Sequence, residues 1–339
     1  LFDSVRGADK SLYSNESSTE ATSSTKLTSF DTDGFSLGSD NNVNKSASNY
    51  VAWCFKAGTK TTDSSKDITA EVSANQESGF SIITYNGATN STTDTSNNSG
   101  NYWTLPHGLS QAPEMIIIKT RTGQANPWLV GTSAGGMTFA AGDELRLNSD
   151  ANKNTQGNIL FGGYTPTATE FKVGGWDAVN RNNYTYVGYC FHSVDGYQRI
   201  GSYTGTGNAS GNYVFTDSNG DGTGTGAFEP AFLLVKRTDV AADWFIYDNK
   251  RVYGSEAPAN PLDGELRASR DYAEDDYDGY NFYTNGFEVA NNGTNMNAAG
   301  GNYIFLAIAA DKDSSVPTQA NSFSPTIYTG NGATQNIAT

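Results

Sequence analysis

Asn49-Tyr-Val-Ala-Trp-Cys-Phe55 and Tyr186-Val-Gly-Tyr-Cys-Phe191 are two copies of one aromatic and β-branched run. In each copy the cysteine lies 19 residues after the phenylalanine of a Phe-x-[Leu/Val] pair, Phe35 in one case and Phe171 in the other. Short runs of this kind, bounded by Asn, Gly, Ser, Thr and Asp, are typical of β-strands. The sequence therefore predicts an all-β chain built from copies of one unit.

A third copy and an earlier signal give the length of the unit. Phe287 leads to the run Asn302–Ala309, and the spacing of 22 predicts a three-residue loop insertion that brings alanine to the cysteine position. A Tyr-x-Gly signal recurs at Tyr85, Tyr203 and Tyr328, which are 118 and 125 residues apart. Self-similarity at a fixed period is the signature of a repeat protein, here with a period close to 120 residues.

The repeat register divides the chain into two complete modules and two end fragments. The complete modules are predicted at 74–195 and 196–314. Residues 1–73 are then the C-terminal half of a module plus a linker, and residues 315–339 are a linker and the start of a further module. We therefore expect the natural polypeptide to extend beyond both ends.

The strand lengths favour sandwiches over propellers. About eight short strands in ~120 residues fit a two-sheet sandwich or jelly roll, whereas propeller blades repeat at ~40 to 50 residues. We predict tandem antiparallel β-sandwich modules, each with its own core. The one candidate for a short helix, Asp67–Asn75, lies in the predicted linker 56–79.

Charge and hydropathy exclude two classes of partner. The 21 Lys and Arg residues against 36 Asp and Glu give a net charge of −15, which opposes binding to phosphate backbones and to anionic lipid surfaces. The longest apolar runs are far shorter than the ~20 residues that cross a bilayer. We expect no nucleic-acid partner and no membrane insertion. An aromatic content of 12% favours a folded chain over acidic disorder.

Cysteine and histidine are too few for a disulfide framework or a histidine-rich metal centre. Cys54 and Cys190 occupy equivalent places in equivalent strands, so we interpret both as core residues of separate modules. His192 shares a strand face with Cys190, which leaves a Cys–His dyad as the alternative. The expected equivalents of His192 in the other copies are Lys56 and Asp311, which mark strand exits.

A Ca²⁺ site is predicted in the loop that follows residue 216. Asp217, Asn219 and Asp221 precede Gly222 with the Asp-x-Asn-x-Asp-Gly spacing of calcium-binding loops. The twelfth position is Phe228 instead of the usual bidentate acid, so an ordinary Asn-Gly and Asp-Gly turn is the alternative. Ca²⁺ is the one cofactor that the sequence predicts.

A dense acidic run extends from Asp271 to Asp278. Consecutive carboxylates between tyrosines in a turn-rich stretch are typical of a solvated loop. A cation site is one alternative, and a catalytic carboxylate pair that hydrolyses a glycosidic bond is another. No convincing pair with that geometry is evident from the sequence.

Aromatic residues beside polar loops are candidates for contact with sugar rings. Trp176, Tyr272, Tyr277 and Tyr280 are surrounded by Asn, Asp and Gly, as is usual where an aromatic face stacks on a glycan. The alternative is that these side chains cap the ends of the sandwich. We predict glycan binding at these four residues.

Three segments, Phe2–Gly7, Thr28–Gly38 and Tyr50–Gly58, together resemble a known family. They are similar to the tandem concanavalin A-like modules of virion structural and tail-fibre proteins from marine bacteriophages. Tyr328–Gln335 resembles the opening of the same module type, and residues 80–312 match more loosely. The resemblance implies lectin-like jelly rolls in an oligomeric component of a virion surface. It implies no catalytic residues.

The sequence thus predicts a non-enzymatic structural or adhesive component of a phage virion, of the fibre, appendage or capsid-decoration type. Its expected partners are further copies of itself or other virion proteins, together with host cell-surface carbohydrate. The alternative is a subunit of an extracellular cell-surface filament or adhesin. A polysaccharide depolymerase is the third hypothesis.

Overall fold

Strands make up 44% of the protein and helices 4%, which confirms the all-β prediction. The structure is a computed structural model, and it describes residues 1–90, 101–251, 253, 260, 262–309 and 322–339. In the described part no helix is long and apolar enough to cross a membrane.

The strands and three short helices follow one another in four stretches of the chain. The first contains β1 (Lys10–Ser11), β2 (Ala21–Thr22), β3 (Leu27–Asp31), β4 (Gly34–Leu37), α1 (Asn41–Asn44) and β5 (Asn49–Phe55). The second contains β6 (Lys60–Asp63), β7 (Ala70–Asn75), β8 (Phe80–Asn86), β9 (Trp103–Leu105), β10 (Met115–Thr122), β11 (Leu129–Thr132), β12 (Asp143–Arg146), β13 (Asn154–Thr155), α2 (Asn158–Phe161), β14 (Phe171–Val173) and β15 (Thr185–Phe191). The third contains β16 (Gln198–Thr204), β17 (Asn212–Phe215), β18 (Pro230–Arg237), β19 (Trp244–Asp248), β20 (Leu262–Arg267), β21 (Asp275–Tyr283), β22 (Gly286–Val289), α3 (Thr294–Asn297) and β23 (Asn302–Ala309). The last contains β24 (Phe323–Thr329) and β25 (Gln335–Ala338).

The two end segments of the chain pair with each other. β24 runs antiparallel to β5 along its whole length, from Phe323 opposite Phe55 to Thr329 opposite Asn49. β25 pairs with β4 in the same way. The segments that the sequence predicted as half a module and the start of another therefore share sheets. We call residues 1–55 with 322–339 the first repeat, residues 60–191 the second repeat and residues 198–309 the third repeat.

All three repeats contain the same stacked pair of tyrosines. The opening strand of each repeat pairs with its closing strand so that the tyrosine of the Tyr-x-Gly signal lies opposite a tyrosine of the aromatic run. The pairs are Tyr85–Tyr186, Tyr203–Tyr303 and Tyr328–Tyr50, with ring centroids 5.0, 4.7 and 5.1 Å apart and planes within 17°, 4° and 13° of parallel. Such pairs contribute ~0.5–1.5 kcal/mol beyond the area that they bury. They explain why these tyrosines recur in the sequence.

A buried asparagine lies next to the stacked tyrosine pair in each repeat. In every repeat the hydroxyl of the opening tyrosine donates to the carbonyl just before this asparagine, and the amide oxygen of the asparagine accepts a backbone N–H beyond the opening strand. The hydrogen bonds from the hydroxyls run from Tyr85 to Val179, from Tyr203 to Met296 and from Tyr328 to Val43. The corresponding asparagines are Asn180, Asn297 and Asn44. The amide nitrogens of Asn44 and Asn297 also donate, to the carbonyls of Gly38 and Asn291, whereas that of Asn180 has no partner among the described residues. In the first and third repeats the satisfied amide therefore fixes the chain path.

The second and third repeats each contain an eight-stranded antiparallel sheet. The strand order is β13-β12-β11-β10-β15-β8-β7-β6 in the second repeat and β16-β23-β18-β19-β20-β21-β22-β17 in the third. Successive strands bury apolar residues on facing surfaces, and β10, β18 and β23 are almost wholly buried. The architecture is therefore β-sandwich-like.

The predicted linker 56–79 forms a hairpin that extends the sheet of the second repeat. β6 pairs with β7, and β7 pairs with the edge of β8, with Ala70 opposite Tyr85 and Val72 opposite Ile83. The prediction of a short helix at Asp67–Asn75 is wrong. Apolar residues alternate at Ile68, Ala70 and Val72, all buried, and a period of two fits a strand.

The tyrosine pairs also correct the register of the third copy. Counting from Tyr50, Tyr186 and Tyr303, the residue equivalent to Cys54 and Cys190 is Ala307. The prediction of Ala309 at this position is wrong by two residues, because the loop before β23 is longer by one residue and not by three. For the same reason the equivalent of His192 is Ala309 and not Asp311, which lies outside the described residues.

Five phenylalanines form an aromatic cluster where the three repeats meet. Phe55 and Phe323 come from the first repeat, Phe80 and Phe191 from the second, and Phe232 from the third. Phe55 contacts the other four rings at centroid distances of 4.9 to 6.2 Å. The cluster belongs to a core that runs through all three repeats. The prediction of separate module cores therefore misses this shared part.

Candidate functional site

A buried Asp–Arg corner joins the first repeat to the second. Oδ1 of Asp3 accepts from the backbone N–H groups of Val5 and Arg6 at 3.1 and 2.9 Å, and Nε of Arg6 donates to Oδ2. The guanidinium also pairs with Glu20 at 3.1 Å. From the second repeat, the hydroxyl of Tyr189 donates to Asp3 at 2.8 Å. All polar atoms of this corner are thus satisfied across the junction, as burial requires.

The third repeat contains an equivalent Asp–Arg corner at its junction with the first repeat. Oδ1 of Asp248 accepts the N–H of Arg251 at 3.0 Å, and Nε of Arg251 donates to Oδ2 at 2.7 Å. Glu274 pairs with the guanidinium at 2.6 Å. Here the group from the neighbouring repeat is Trp53, whose indole N–H donates to Asp248 at 2.8 Å. Trp53 stands where Tyr189 stands in the other junction.

The second repeat lacks this corner. The N–H of Ser133 donates to the carbonyl of Glu114 at 3.0 Å, as that of Asn249 donates to the carbonyl of Ala231 in the third repeat. Because the two bonds are equivalent, Ser133 corresponds to Asn249, and Gly135 corresponds to Arg251. The aspartate position is occupied by threonine. At the junction between the second and third repeats the ion pair is therefore missing.

A polar cleft lies where that arginine would be. Its volume is about 280 Å³. Glu114, Ser133 and Gly135 line it from the second repeat, and residues of β16 and of the loop after β17 line it from the third. A Cβ at Gly135 would lie 2.7 Å from Cγ2 of Ile304, and the φ of +62° is unfavourable for a side chain. Only glycine fits this wall of the cleft without displacing β23.

Arg199 faces the cleft without a counter-ion. The chain has nine arginines. Eight of them form ion pairs, namely Arg6, Arg121, Arg146, Arg181, Arg237, Arg251, Arg267 and Arg270. In the described part of the chain no carboxylate lies within ion-pair distance of Arg199, although Glu114 lines the same cleft. Its Nη2 lies close to Gly220, and the residue as a whole is half-buried.

Glu114, which lines the same cleft, is held in place by a hydrogen bond. Its Oε2 accepts the backbone N–H of Ser193 at 2.5 Å. The hydroxyl of Ser193 in turn accepts the N–H of Ile200 at 3.1 Å, next to Arg199 in sequence. The cleft therefore presents a fixed carboxylate and a guanidinium that do not neutralise each other. Such an arrangement can bind a ligand that carries both an acidic group and hydroxyls.

The predicted Ca²⁺ loop lines the cleft through Asn219. Asp217 is buried, and its carboxylate accepts the N–H groups of Gly222 and Gly224. Asp221 accepts from the N–H and hydroxyl of Thr223 at 2.9 and 2.6 Å. Among the described residues there is no group of three or more His, Cys, Asp or Glu side chains placed to hold a metal ion. The Ca²⁺ site at Asp217, Asn219 and Asp221 stays a prediction.

The comparison with family models gives one match. The model of the family described as Domain of unknown function (DUF7483) matches residues 1–311. The chain belongs to this family. No curated protein and no solved structure matches it. The DUF7483 match spans the second and third repeats and residues 1–55 of the first, whereas β24 and β25 lie beyond it.

Of the four aromatic residues predicted to bind glycan, two are exposed in this DUF7483 chain. Tyr272 and Tyr277 are 61% and 38% exposed. Trp176 packs partly buried against the core of the second repeat. Tyr280 is wholly buried, with its hydroxyl 3.1 Å from that of Tyr203. The prediction that Tyr280 stacks on a sugar is therefore wrong, because its ring belongs to the core.

A tyrosine pair that the sequence did not reveal lies on the surface of the third repeat. Tyr213 and Tyr283 are 56% and 37% exposed, with ring centroids 6.1 Å apart. Beneath them the carboxylate of Glu288 accepts from the hydroxyl of Tyr283 at 3.1 Å and from the amide of Asn281 at 2.8 Å. Exposed aromatic rings beside a fixed hydrogen-bond acceptor provide the apolar and polar contacts with which a protein can bind a sugar.

The second repeat has an exposed tyrosine pair of a different kind. Tyr102 and Tyr164 lie 4.8 Å apart by ring centroid. The ammonium group of Lys172 lies 4.2 and 3.4 Å from the two centroids. The ammonium group thus occupies one face of each ring in a cation–π contact, while the two side chains are 37% and 43% exposed. The two surface pairs are therefore similarly exposed, and they differ in that a lysine ammonium group lies over the rings of the second repeat.

Cys190 lies in the core of the second repeat, and Cys54 packs partly buried against the core of the first. Cys190 is wholly buried, and desolvation raises the pKa of its thiol to about 12. Desolvation raises the pKa of Cys54 to about 11. Nδ1 of His192 lies 2.8 Å from the carbonyl of Ser193 and is thus engaged with the backbone. A thiol with a raised pKa is a poor nucleophile at neutral pH, so nothing in this geometry favours a Cys–His dyad.

Proposed function

We propose that this DUF7483 chain is a non-enzymatic structural and adhesive component of a bacteriophage virion surface, which binds host cell-surface glycan. The resemblance of residues 1–58 to virion modules provides the context. On this proposal the repeats are lectin-like jelly rolls of the concanavalin A type. The exposed tyrosine pair Tyr213–Tyr283 beside the carboxylate of Glu288 is the single observation that carries the adhesive part.

The buried charged groups support a structural role. Nζ of Lys119 donates to the carbonyls of Ser17 and Asn126 at 2.8 and 2.9 Å, which ties the second repeat to the first. Its equivalent, Lys236, ties the third repeat to the second through the carbonyl of Asp150 at 3.1 Å. Desolvation lowers the pKa of each lysine to about 8. Both lysines serve as recurrent cross-links between repeats.

The inter-repeat contacts also suit a rigid display scaffold. Indole N–H groups of Trp128 and Trp244 donate to backbone carbonyls of the preceding repeat at 2.8 and 2.9 Å. With the lysine and Asp–Arg contacts, they fix the repeats relative to one another. Rigid elements that carry exposed loops and rings are the usual support of a binding surface.

The adhesive part is tested with purified host polysaccharide and a pair of double variants. Tyr213→Ser with Tyr283→Ser removes the exposed pair and is expected to reduce binding at least tenfold, because the two rings no longer bury apolar surface against the sugar, which is worth about 25 cal/mol per Å². Tyr102→Ser with Tyr164→Ser is the matched control, since it removes a similarly exposed pair of rings that Lys172 already contacts. Equal binding by both double variants and the unmodified protein would refute the proposed surface.

The structural and non-enzymatic parts have separate tests. Immunodetection in purified phage particles is expected to find the protein at the virion surface. Its detection on the host cell envelope in the absence of phage would favour the filament or adhesin alternative. Incubation with the same polysaccharide is expected to release no new reducing ends. Release of oligosaccharides would establish the depolymerase alternative instead.

A further inference from the structure

We propose that the cleft between the second and third repeats binds the carboxylate of an acidic saccharide through Arg199. The saccharide nature of the ligand rests on the proposed adhesive function, whereas the carboxylate site rests on the cleft alone. The cleft is separate from the Tyr213–Tyr283 surface, because neither tyrosine lines it. The chain would therefore contact one glycan type at two kinds of site.

The unpaired state of Arg199 is the first argument. With 36 acidic residues against 21 basic ones, an arginine in this chain meets a carboxylate easily, and the other eight do so. The residue is half-buried, and within the described residues its guanidinium has neither an ion pair nor a side-chain hydrogen bond, so its N–H groups are available to a ligand. Its planar fork of N–H donors matches a carboxylate in two parallel hydrogen bonds. A ligand carboxylate would supply the partner that the fold omits.

Comparison among the repeats is the second argument. The residues equivalent to Arg199 in the opening strands of the other two repeats are Ser81 and Ser324. The residue equivalent to Glu114 in the third repeat is Ala231. The guanidinium and the carboxylate thus coincide at one junction of the three. It is also the junction where glycine replaces the arginine of the Asp–Arg corner. The same fold is built elsewhere without these charges, so stability of the repeat does not require them.

The other cleft residues indicate a ligand with hydroxyls beside its acid. In the described part of the chain no donor reaches Oε1 of Glu114, which leaves it to accept a hydroxyl. Ser202 and Asn219 add a hydroxyl and an amide to the lining. A carboxylate close to Glu114 would be repelled, so the acid of the ligand is placed at Arg199 and its hydroxyls toward Glu114. A hexuronic acid has this combination of groups.

The test uses glucuronate as probe and the side-chain Nε–H signals of arginine in ¹H–¹⁵N spectra of the purified full chain. The signal of Arg199 is assigned by its loss in Arg199→Gln. We expect glucuronate to shift this signal in a saturable way and glucose to leave it in place. Arg199→Gln is expected to weaken glucuronate binding, measured calorimetrically, by about tenfold or more, because a charge-assisted hydrogen-bonded pair is lost.

Arg181→Gln is the matched control, since it removes the same charge from an arginine outside the cleft that pairs with Asp177. It is expected to bind glucuronate as the unmodified protein does. The proposal is overturned if the Arg199 signal does not move, if glucose moves it equally, or if Arg199→Gln binds glucuronate normally. Inorganic phosphate that displaces glucuronate fully would show a general anion site instead. Loss of polysaccharide binding in the Tyr213 and Tyr283 variants is read separately, so the two proposals fail independently.

Discussion

The hydroxyl of Tyr189 donates a 2.8 Å hydrogen bond to the carboxylate of Asp3, which lies 186 positions earlier in the chain. Both groups are buried. The bond joins the closing strand of the second repeat to the Asp–Arg corner of the first. Trp53 and Asp248 make the same connection between the first and third repeats at 2.8 Å. Long-range polar contacts between repeats therefore hold the chain together beside its apolar core.

Removal of the Tyr189 hydroxyl is expected to destabilise the protein. In Tyr189→Phe the buried Oδ2 of Asp3 keeps Arg6 but loses one donor, which costs about 1–2 kcal/mol in the free energy of unfolding. Tyr164→Phe, which removes an exposed hydroxyl, is the control and is expected to change it by less than about 0.5 kcal/mol. Urea denaturation of the three proteins measures the difference. Equal stability of both variants would contradict the role of this bond.

Truncation of Phe323 is expected to cost more. This side chain is 2% exposed and lies 4.9 Å from the ring of Phe55 and 5.6 Å from that of Phe232 by centroid. Phe323→Ala leaves a cavity where the repeats meet, and such changes cost about 3–5 kcal/mol. Ile327→Ala on the same strand is the control, since that side chain is 49% exposed. A similar loss of unfolding free energy in both variants would show that β24 does not anchor the core.

Stability is expected to fall in mild acid because of His107. Nε2 of its ring lies 3.0 Å from the carbonyl of Thr167, and Nδ1 accepts the N–H of Leu109 at 3.1 Å, so the ring is held neutral with the proton on Nε2. Desolvation lowers its pKa from 6.5 to about 4. Between these values the unfolded chain binds the proton and the folded chain does not. The stabilisation is therefore complete above pH 6.5 and is lost as the pH falls toward 4, by about 2–3 kcal/mol.

His107→Asn separates this effect from the titration of carboxylates. Its amide oxygen can still accept the N–H of Leu109, and it does not ionise. The unfolding free energy of the variant, measured by urea denaturation from pH 7 to 4, is expected to fall less steeply than that of the unmodified protein. Parallel pH profiles would mean that His107 does not contribute to the acid sensitivity.

The fold class could be predicted because its signals are local and repeated. The tyrosines of the Tyr-x-Gly signal and of the aromatic run occupy equivalent pairs in all three repeats, so each copy supports the interpretation of the others. The hairpin β6–β7 was missed because polar residues dominate it, and its strands form only by pairing with the edge of β8. The prediction for Tyr280 fails because Tyr277, Tyr280 and Tyr283 all lie in β21, and their spacing of three residues does not show which ring points inward.

The cleft could not be predicted from the sequence for a different reason. Arg199 follows an ordinary strand pattern, and nothing beside it in sequence marks it as unpaired. Its environment depends on Gly135 and Glu114, which belong to another repeat. Only an alignment of the repeats through the hydrogen bonds of Ser133 and Asn249 shows that glycine stands at the arginine position. A site between two repeats therefore depends on residue differences that lie far apart in the sequence, here Gly135 and Arg199.

Both thiols are expected to react slowly in the native protein. Burial raises the pKa of Cys190 to about 12 and that of Cys54 to about 11, so the thiolate, which is the nucleophile, is scarce at pH 8. Cys190 is wholly buried and Cys54 partly so. Iodoacetamide at pH 8, followed by peptide mass spectrometry, is therefore expected to label Cys54 slowly, Cys190 only after unfolding, and both rapidly in urea. Native labelling of Cys190 at the rate of a free thiol would contradict its position between β10 and β8, and with it the pairing of the closing strand in the second repeat.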